Sequence, residues 1–466
     1  MTDFLPLTSL IAIGRPADKV MARRSDGTDV KWGNFASQMQ TMSHTICNNT
    51  QADNILLACE DIYNFIIGFF ATARLGKNII ISPNLQSETL RYMQSETNAF
   101  QISDEFINLR LSENNILNIS DNTNHTRITL YTSGSTGKPK IISKPIQALE
   151  YEVAMLHNHW GDRIANGLFL SSVTHYHAYG LPFHILWALC SGQTLGLERI
   201  SYPETLFHYL KTDKVNFISS PVFLQQLSQL PPDDKNYHYL QFISAAGAPL
   251  DQTTARTLAS YFPYPVTEIY GSTETGAAAT KTVANDDKWH CLQNVTILSD
   301  NDMTLVRSPY SGQTGPVAMA DTIELHEDGS FRLLGREDRI VKVFEKRVSL
   351  DQMERVCQKA DVIKEVKIIQ PELSQRLVGV ASLTEYGKTM LNSQGKRALV
   401  NHIKGYLRPE FDLVVFPRKW RFIDDLPRND LGKIQHHLLY FHTIHWQQQP
   451  QILNPFQYLL FLLINT

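Results

Sequence analysis

The strongest constraint on the fold is a strand–helix–strand pattern in residues 54–82. Two short apolar runs, 54–59 (NILLAC) and 78–82 (NIIIS), flank a helical stretch that Asp61 can cap and Gly76 can end. This helix is apolar on nearly every side, which predicts that it lies buried between layers. The pattern is typical of a βαβ unit with parallel strands. The sequence therefore predicts an α/β fold.

Length and charge limit the classes of protein that remain. A chain of 466 residues exceeds what one hydrophobic core usually supports, so we expect two or more domains. The net charge is -3 and 19% of the residues are charged, which gives no bias toward polyanions and argues against nucleic acid as a partner. The five cysteines are scattered without a C-x-x-C pair, which indicates neither a disulfide framework nor a zinc site.

The two ends of the sequence give no sign of membrane insertion. The first residues include Asp3 and lack a basic start before an apolar core, so they do not resemble a signal peptide. The apolar stretch 458–464 is far shorter than the roughly 20 residues of a spanning helix. Together with the scattered cysteines, this predicts a cytoplasmic protein without a transmembrane segment.

A loop rich in glycine, hydroxyl groups and lysine follows the strand-like residues 128–130. Its sequence, YTSGSTGKPK at 131–140, gives a backbone that can approach a ligand closely and that offers N–H, O–H and cationic groups. Such a loop suits a phosphate chain. The candidate phosphate-binding residues are Thr132, Ser133, Gly134, Ser135, Thr136, Gly137 and Lys138.

Two other interpretations of this loop are weaker. A polar hairpin turn needs only one glycine and does not need so many hydroxyl groups beside Lys138. A Walker A loop needs four residues between its first glycine and the Gly-Lys pair, whereas two residues separate Gly134 from Gly137. If a nucleotide binds, the fold is not expected to be that of a P-loop NTPase.

Three histidines follow the strand-like segment 167–173. His175, His177 and His184 suggest a metal site, but neither a carboxylate nor a cysteine completes the ligand set. We interpret His177 and Tyr179 as part of a pocket wall at the end of a strand. A buried, hydrogen-bonded core histidine is an alternative of nearly equal weight.

Small residues and a carboxylate follow the later strands. The apolar run 240–244 leads into Ala246, Gly247 and Ala248, which leave room for a flat ligand at a strand's carboxyl end, although close helix–strand packing needs the same residues. Residues 265–269 lead into 270–276 (YGSTETG), where Glu274 lies among hydroxyl groups and can hold a magnesium ion. The alternative is that Glu274 is an acid in the first turn of a helix.

The order of these motifs resembles that of the adenylate-forming enzymes, which include acyl-CoA synthetases, coumarate-CoA ligases, peptide-synthetase adenylation domains and luciferases. The similarity extends from residue 131 to 434 through GREDRIVK at 335–342 and LPRNDLGKI at 426–434. It implies a large N-terminal α/β domain (1–337), a small mobile α+β domain (338–440) and a tail of unknown role (441–466). In the small domain, 362–370, 377–383 and 419–423 are predicted as strands and 395–406 as a helix.

The resemblance also implies roles for individual residues. Asp338 would be the hinge, Lys433, Thr273, Glu274 and His177 would be catalytic, and Glu274 would bind the metal. The acyl pocket would contain His177, Tyr179, Ala246, Gly247 and Gly271. The nucleotide-binding residues would be Thr132, Ser133, Gly134, Ser135, Thr136, Gly137, Lys138, Gly247, Ala248, Tyr270, Gly271, Ser272, Thr273, Asp321 and Arg336.

The implied activity is ATP- and Mg²⁺-dependent activation of a carboxylic acid to an acyl-adenylate, followed by transfer to a phosphopantetheine thiol. The mixture of aromatic and small pocket residues favours an aryl or unsaturated acid. Glu345 stands where the family has a glycine beside the pantetheine tunnel, so an acyl carrier protein is favoured over free coenzyme A. The alternatives are an acyl-CoA synthetase, a non-catalytic acyl-adenylate or nucleotide sensor, and a luciferase-like oxygenase.

Overall fold

The computed structural model describes residues 4–111, 121–132, 140–164, 166–230, 239–282, 288–300, 303–336, 339–343, 346–371, 376–428, 434–435 and 438–439. Two compact units divide the chain. Unit 1 comprises residues 1–319 and 323–332, and unit 2 comprises residues 320–322 and 333–466. Helices and strands are numbered below in chain order.

The predicted βαβ unit lies in a five-stranded sheet of unit 1. Its strands are β3 (Asn54–Ala58), β4 (Asn78–Ile81), β5 (Phe100–Ser103), β6 (Arg127–Thr132) and β7 (Lys140–Pro145), in the order β5-β3-β4-β6-β7. All neighbours are parallel except β6 and β7, which are antiparallel. The residues 133–139 of the predicted phosphate loop therefore connect two antiparallel strands.

A nine-stranded sheet forms the other half of the unit 1 framework. It comprises β1 (Val20–Arg23), β2 (Asp29–Lys31), β8 (Leu168–Ser171), β9 (Thr194–Arg199), β10 (Val215–Ser219), β11 (Leu240–Ala246), β12 (Thr267–Ser272), β13 (Gly276–Thr282) and β14 (His290–Cys291). The order is β14-β13-β12-β11-β10-β8-β9-β1-β2. Strands β8 to β12 are mutually parallel where they pair, whereas β13 returns antiparallel to β12.

Ten described α-helices of unit 1 surround these sheets. They are α1 (Leu7–Ile13), α2 (Trp32–Asn49), α3 (Ile62–Arg74), α4 (Ser87–Thr97), α5 (Asp104–Arg110), α6 (Ile146–Trp160), α7 (Trp187–Cys190), α8 (Pro203–Tyr209), α9 (Pro221–Ser228) and α10 (Gln252–Tyr261). The side chain of Asp61 accepts a hydrogen bond from the N–H of Asn64 and caps α3, as predicted. Almost the whole of α3 is buried, as its all-round apolar sequence requires.

Smaller antiparallel elements follow the nine-stranded sheet. Strands β15 (Thr296–Asp300), β16 (Met303–Arg307) and β17 (Val317–Met319) form one sheet, and β18 (Asp321–Leu325) pairs with β19 (Phe331–Arg336). Between Gly276 and Asp321 the described residues contain most of β13 together with β14 to β17.

Unit 2 is a small α+β assembly. It contains β20 (Ile340–Val343), β21 (Lys346–Ser349), α11 (Leu350–Gln358), β22 (Ile363–Ile369), β23 (Val378–Leu383), α12 (Glu385–Leu407) and β24 (Lys419–Phe422). The predicted strands pair in the order β22-β23-β24. The backbone of α12 is not helical at Gly395 (φ 80°), so the predicted helix 395–406 corresponds to its second half, and the first half was not predicted.

The fold prediction is confirmed at the level of class: a large α/β unit is followed by a smaller α+β unit. No helix in the described part of the chain is long and apolar enough to span a membrane. The predicted hinge Asp338 lies outside the described residues, as does the predicted tail 441–466.

Candidate active site

The candidate site lies where neighbouring parallel strands of the nine-stranded sheet end. Strands β8, β10, β11 and β12 are adjacent, and their carboxyl ends open into segments 172–180, 219–220, 246–250 and 271–276. Hydroxyl pairs join these ends, with Ser172 Oγ 2.9 Å from Ser219 Oγ and Tyr179 Oη 2.7 Å from Ser244 Oγ. Ligands of open α/β sheets bind at such carboxyl ends.

The segment after β11 exposes part of its backbone. Gly247 has a φ of +92°, in the left-handed region that glycine adopts without strain, and both Gly247 and Ala248 are exposed. Buried Glu268 on β12 holds the end of this segment, since its Oε2 accepts the N–H of Leu250 at 2.9 Å. Lys281 Nζ lies 3.3 Å from Glu268 Oε1. Glu268, paired with half-buried Lys281, thus holds the carboxyl end of this segment at Leu250.

The next strand, β12, brings Tyr270 and Gly271 beside that segment. Ala246 is the parallel-register neighbour of Ile269, so these predicted residues lie on adjacent strand ends. The ring of Tyr270 is buried, and its centroid lies 5.7 Å from the ring centroids of both Trp289 and Phe331. Tyr270 is therefore partly a core residue.

Gly271 is required by the backbone itself. A Cβ at this position would lie 2.1 Å from the carbonyl oxygen of Gly276 on the antiparallel strand β13. No side chain fits there. A glycine at 271 therefore has a structural reason that is independent of any ligand.

Glu274 lies at the tip of the hairpin that joins β12 to β13; residues 272–276 are called the Glu274 turn below. The N–H of Ser272 donates to Thr275 Oγ1 at 3.0 Å, and the N–H of Thr275 donates to Ser272 Oγ at 3.2 Å. Thr275 is buried, whereas Thr273 and Glu274 are half-buried. The alternative in which Glu274 starts a helix is wrong, because β13 follows at once.

Two buried charged residues beneath this turn were not predicted. Glu152 on α6 accepts the N–H of Ala277 on Oε1 at 2.7 Å, and Lys144 on β7 donates from Nζ to the carbonyl of Tyr310 at 2.8 Å. Both side chains are almost fully buried. Nothing local in the sequence marks them, since the contacts that define them are with residues more than 120 positions away.

The three histidines separate into two kinds. His175 and His184 are buried, and each Nε2–H donates to a backbone carbonyl, those of Cys59 and Phe169. Burial lowers the pKa of His175 to about 4 and that of His184 to about 3, so both are neutral. These two are core histidines. His177 is half-buried, and its Nδ1 accepts the N–H of Tyr179 at 3.3 Å.

The structure does not support the metal interpretation of the histidines. No group of three or more His, Cys, Asp or Glu side chains in the described ranges is arranged to hold a metal ion. Tyr179 itself is buried, and burial raises the pKa of its hydroxyl, which therefore stays protonated in its hydrogen bond with Ser244.

Unit 2 contains a second pair of predicted nucleotide-binding residues. Asp321 begins β18 and Arg336 ends β19, which places Arg336 Nη1 3.9 Å from Asp321 Oδ1. The backbone N–H of Arg336 also donates to Asp351 Oδ2 at 3.0 Å. The structure thus brings together two residues that are 15 positions apart from each other, one at each end of a hairpin.

Several predicted site residues lie outside the described residues. They are the loop residues Ser133, Gly134, Ser135, Thr136, Gly137 and Lys138, the hinge Asp338, Glu345 of the tunnel and Lys433. Thr132 is described only as the last residue of β6, where it pairs with Lys140. The roles of all these residues stay predictions.

Comparisons with known proteins agree with this geometry. A sequence model described as "AMP-binding enzyme" matches residues 101–318. A 4-coumarate–CoA ligase from Cereibacter sphaeroides is 25% identical over 327 residues, covering 66% of this chain and 70% of that protein. A D-alanine–D-alanyl carrier protein ligase from Staphylococcus haemolyticus is 21% identical over 491 residues, covering 93% and 98%. ATP-bound MatB from Rhodopseudomonas palustris has a similar fold, with a TM-score of 0.76 at 16% identity, covering 96% of this chain and 100% of that one.

Proposed function

Since this chain belongs to the adenylate-forming superfamily of AMP-binding enzymes and is an AMP-forming carboxylic acid–thiol ligase, we propose that it activates an aryl or unsaturated acid and passes it to a carrier-protein thiol. One observation carries this proposal. The exposed Gly247–Ala248 backbone and the Glu274 turn lie at the ends of the adjacent parallel strands β11 and β12. A flat base and a charged phosphate group can be bound side by side there.

In the first half-reaction, a carboxylate oxygen of the acid attacks the α-phosphorus of ATP. The new bond joins that oxygen to the α-phosphorus, the bond to the bridging oxygen of the β-phosphate breaks, and pyrophosphate leaves. We assign the phosphates to residues 132–138, the adenine to Gly247, Ala248 and 270–273, and the ribose to Asp321 and Arg336. Lys433 would stabilise the charge that develops at the α-phosphate.

Glu274 fits a role in holding Mg²⁺ with the phosphates. Its carboxylate is half-buried on a turn of hydroxyl residues, and a hard cation that keeps several waters needs only one or two protein carboxylates. When bound, the ion would neutralise negative charge on the phosphate oxygens. The contribution of the chain is to keep the carboxylate in place before the nucleotide arrives, through the hydrogen bonds between Ser272 and Thr275.

The acyl pocket is proposed to contain His177, Tyr179, Ala246, Gly247 and Gly271. Tyr179 is fixed by its bond to Ser244, and the mixture of aromatic and small residues in the proposed pocket favours a flat acid over a branched one. The similarity to a protein named 4-coumarate–CoA ligase supports an acid of this class.

The thiol acceptor is proposed to be a carrier protein. A glutamate at 345, in place of the family's glycine, would repel the phosphates of free coenzyme A by like charge. A phosphopantetheine arm lacks the 3′-phosphoadenosine, and Lys346 and Arg347 could meet an acidic carrier surface. The similarity to a protein named D-alanine–D-alanyl carrier protein ligase supports this acceptor class.

The activation step is tested by pyrophosphate release across a panel of carboxylic acids with Mg-ATP. Release with aryl or unsaturated acids, and weak release with branched aliphatic ones, is expected. ATP binding without release for any acid would indicate a sensor. Oxygen uptake on adding ATP and acid would indicate an oxygenase.

The acceptor is tested with an activated acid offered to free coenzyme A and to a holo carrier protein in parallel. Thioester is expected mainly on the carrier protein, and Glu345→Gly should increase turnover with coenzyme A. Glu327→Gly, which removes an exposed acid in unit 1, is the matched control and should change neither rate. Efficient turnover with coenzyme A that Glu345→Gly leaves unchanged or reduces would exclude the carrier-protein proposal.

A further inference from the structure

We infer that Lys144 and Glu152 are positioning residues that hold the Glu274 turn from beneath and thereby set its response to magnesium. This inference rests on the proposed function, in which Glu274 acts on Mg-ATP. Both side chains come from elements that end more than 110 residues before the turn: Lys144 lies on β7 and Glu152 on α6.

The first support is direct bonding to the hairpin. Glu152 Oε1 accepts the N–H of Ala277 at 2.7 Å, three residues after Glu274. Gly276 has a φ of +67°, and a Cβ there would lie 2.8 Å from Tyr310 Cβ and 3.0 Å from Glu152 Oε1. The hairpin is therefore packed between Tyr310 and Glu152, with no room for a larger residue.

The second support is the way in which Tyr310 is held. Lys144 Nζ donates to the Tyr310 carbonyl at 2.8 Å, and Ser308 Oγ donates to the Thr275 carbonyl at 2.8 Å. The segment 308–310 thus bonds to the turn at one end and to Lys144 at the other. Lys144 also lies on β7, the strand that follows the predicted phosphate loop in the chain. This strand therefore links that loop to the segment 308–310, which supports the Glu274 turn.

The third support is the charge arrangement. Burial lowers the pKa of Lys144, while the negative charges of Glu152 and Glu274 oppose this effect. Burial raises the pKa of Glu152, while Lys144 and the Ala277 N–H oppose it. Buried ion pairs are weak evidence for stability, because apolar residues of similar size often stabilise a core as well or better. Apolar residues at 144 and 152 could not bond the Tyr310 carbonyl and the Ala277 N–H, and they would not place a positive charge that interacts with the Glu274 carboxylate.

The test compares Lys144→Met, Glu152→Gln and the double variant Lys144→Met/Glu152→Gln with wild type. The double variant leaves no unpaired buried charge and should remain folded even if a single variant does not. Calorimetric titration of ATP at a series of Mg²⁺ concentrations measures the site without any carboxylic acid. Pyrophosphate release then gives kcat and the KM for the acid.

For the double variant we expect at least a threefold change in the Mg²⁺ concentration that half-saturates ATP binding. The kcat should fall about tenfold, while the KM for the acid stays within twofold. Lys77→Met is the matched control, since Lys77 Nζ also donates to a backbone carbonyl, that of Ala52, far from the turn in sequence. It is expected to alter thermal stability without altering the Mg²⁺ dependence.

A folded double variant with wild-type Mg²⁺ dependence and kcat would overturn the inference and make the pair a packing feature. If Glu274→Gln shifts the Mg²⁺ dependence while the double variant does not, only this inference fails. If wild type binds Mg-ATP but releases no pyrophosphate with any acid, the proposed function fails instead. The two failures are therefore distinguishable.

Discussion

The Glu274 turn in unit 1 and the Asp321–Arg336 pair in unit 2 are both assigned to the nucleotide, yet they are built differently. Buried groups hold the turn: Thr275 has no exposed surface, and Glu152 beneath it is 2% exposed. The pair in unit 2 has a separation of 3.9 Å, and the Arg336 side chain is 48% exposed. One site is fixed by the core and the other lies at the surface.

The difference has an energetic meaning. A long ion pair with one half-exposed partner contributes at most about 1 kcal/mol, so this contact allows the Arg336 side chain to move at little cost. Removing one partner from a buried charged network costs about 3–5 kcal/mol, so the Glu274 turn cannot shift in the same way. The Glu274 turn is therefore preorganised, whereas the side chains of the Asp321–Arg336 pair can adjust.

The largest test of this contrast replaces Lys433 in unit 2 with alanine. Loss of a positioned cation at the α-phosphate should reduce adenylate formation by about 10²–10³-fold. Transfer from a supplied acyl-adenylate should stay largely intact, because the family resemblance implies that this lysine serves only one domain orientation. Single-turnover assays of the two half-reactions measure this. Equal loss in both would contradict the assignment.

Glu274→Gln tests the preorganised side of the comparison. We expect pyrophosphate release to fall about tenfold to a hundredfold at low Mg²⁺ and to recover partly at high Mg²⁺, because a charged ligand of the ion becomes neutral. The protein should stay folded, with a free energy of unfolding in urea that falls by about 1 kcal/mol or less, because the Glu274 side chain is only half-buried. Full activity at low Mg²⁺ would show that another group holds the ion, and Glu327→Gln is the surface control.

His175 tests whether unit 1 depends on buried neutral groups. Its pKa of about 4, against about 6.5 in the unfolded chain, means that unfolding takes up a proton as the pH falls below 6.5. The free energy of unfolding of wild type therefore falls by about 2 kcal/mol between pH 8 and pH 5, and it stops falling below pH 4.

The variant His175→Gln keeps an N–H donor for the Cys59 carbonyl and removes the titration. We expect its unfolding free energy to change by about 2 kcal/mol less than that of wild type over the same pH range. Urea unfolding at pH 8 and pH 5 gives both differences. Identical pH dependence in the two proteins would place the proton uptake elsewhere.

Asp321→Asn tests the adaptable side and should have the smallest effect. Loss of one charged acceptor for the ribose hydroxyls is worth about 0.5–1.5 kcal/mol, so the KM for ATP should rise about threefold to tenfold. Stability should change by less than about 1 kcal/mol, since Arg336 is 48% exposed and its Nη1 lies 3.9 Å from Asp321 Oδ1. A loss of stability above about 2 kcal/mol would make Asp321 a structural residue of unit 2.

Local patterns predicted much of the framework. The βαβ unit, the cap at Asp61 and the pairing of β22 with β23 all follow from apolar runs and turn residues that are close in sequence. The helix predicted at 395–406 corresponds to the second half of α12, because the backbone at Gly395 (φ 80°) is not helical. The first half of α12, before Gly395, was not predicted.

By itself, the sequence determined the α/β class and the division into a large and a small part, and it marked motif residues such as Gly247 and Glu274 as candidates for a ligand site. These properties depend on residue type and local spacing. Only the tertiary structure decided that Tyr270 is part of an aromatic core, that Gly271 is required by the hairpin, and that Lys144 and Glu152 support the turn. The reason is physical: burial and charge interactions depend on distances between residues far apart in the chain, and no local pattern encodes those distances.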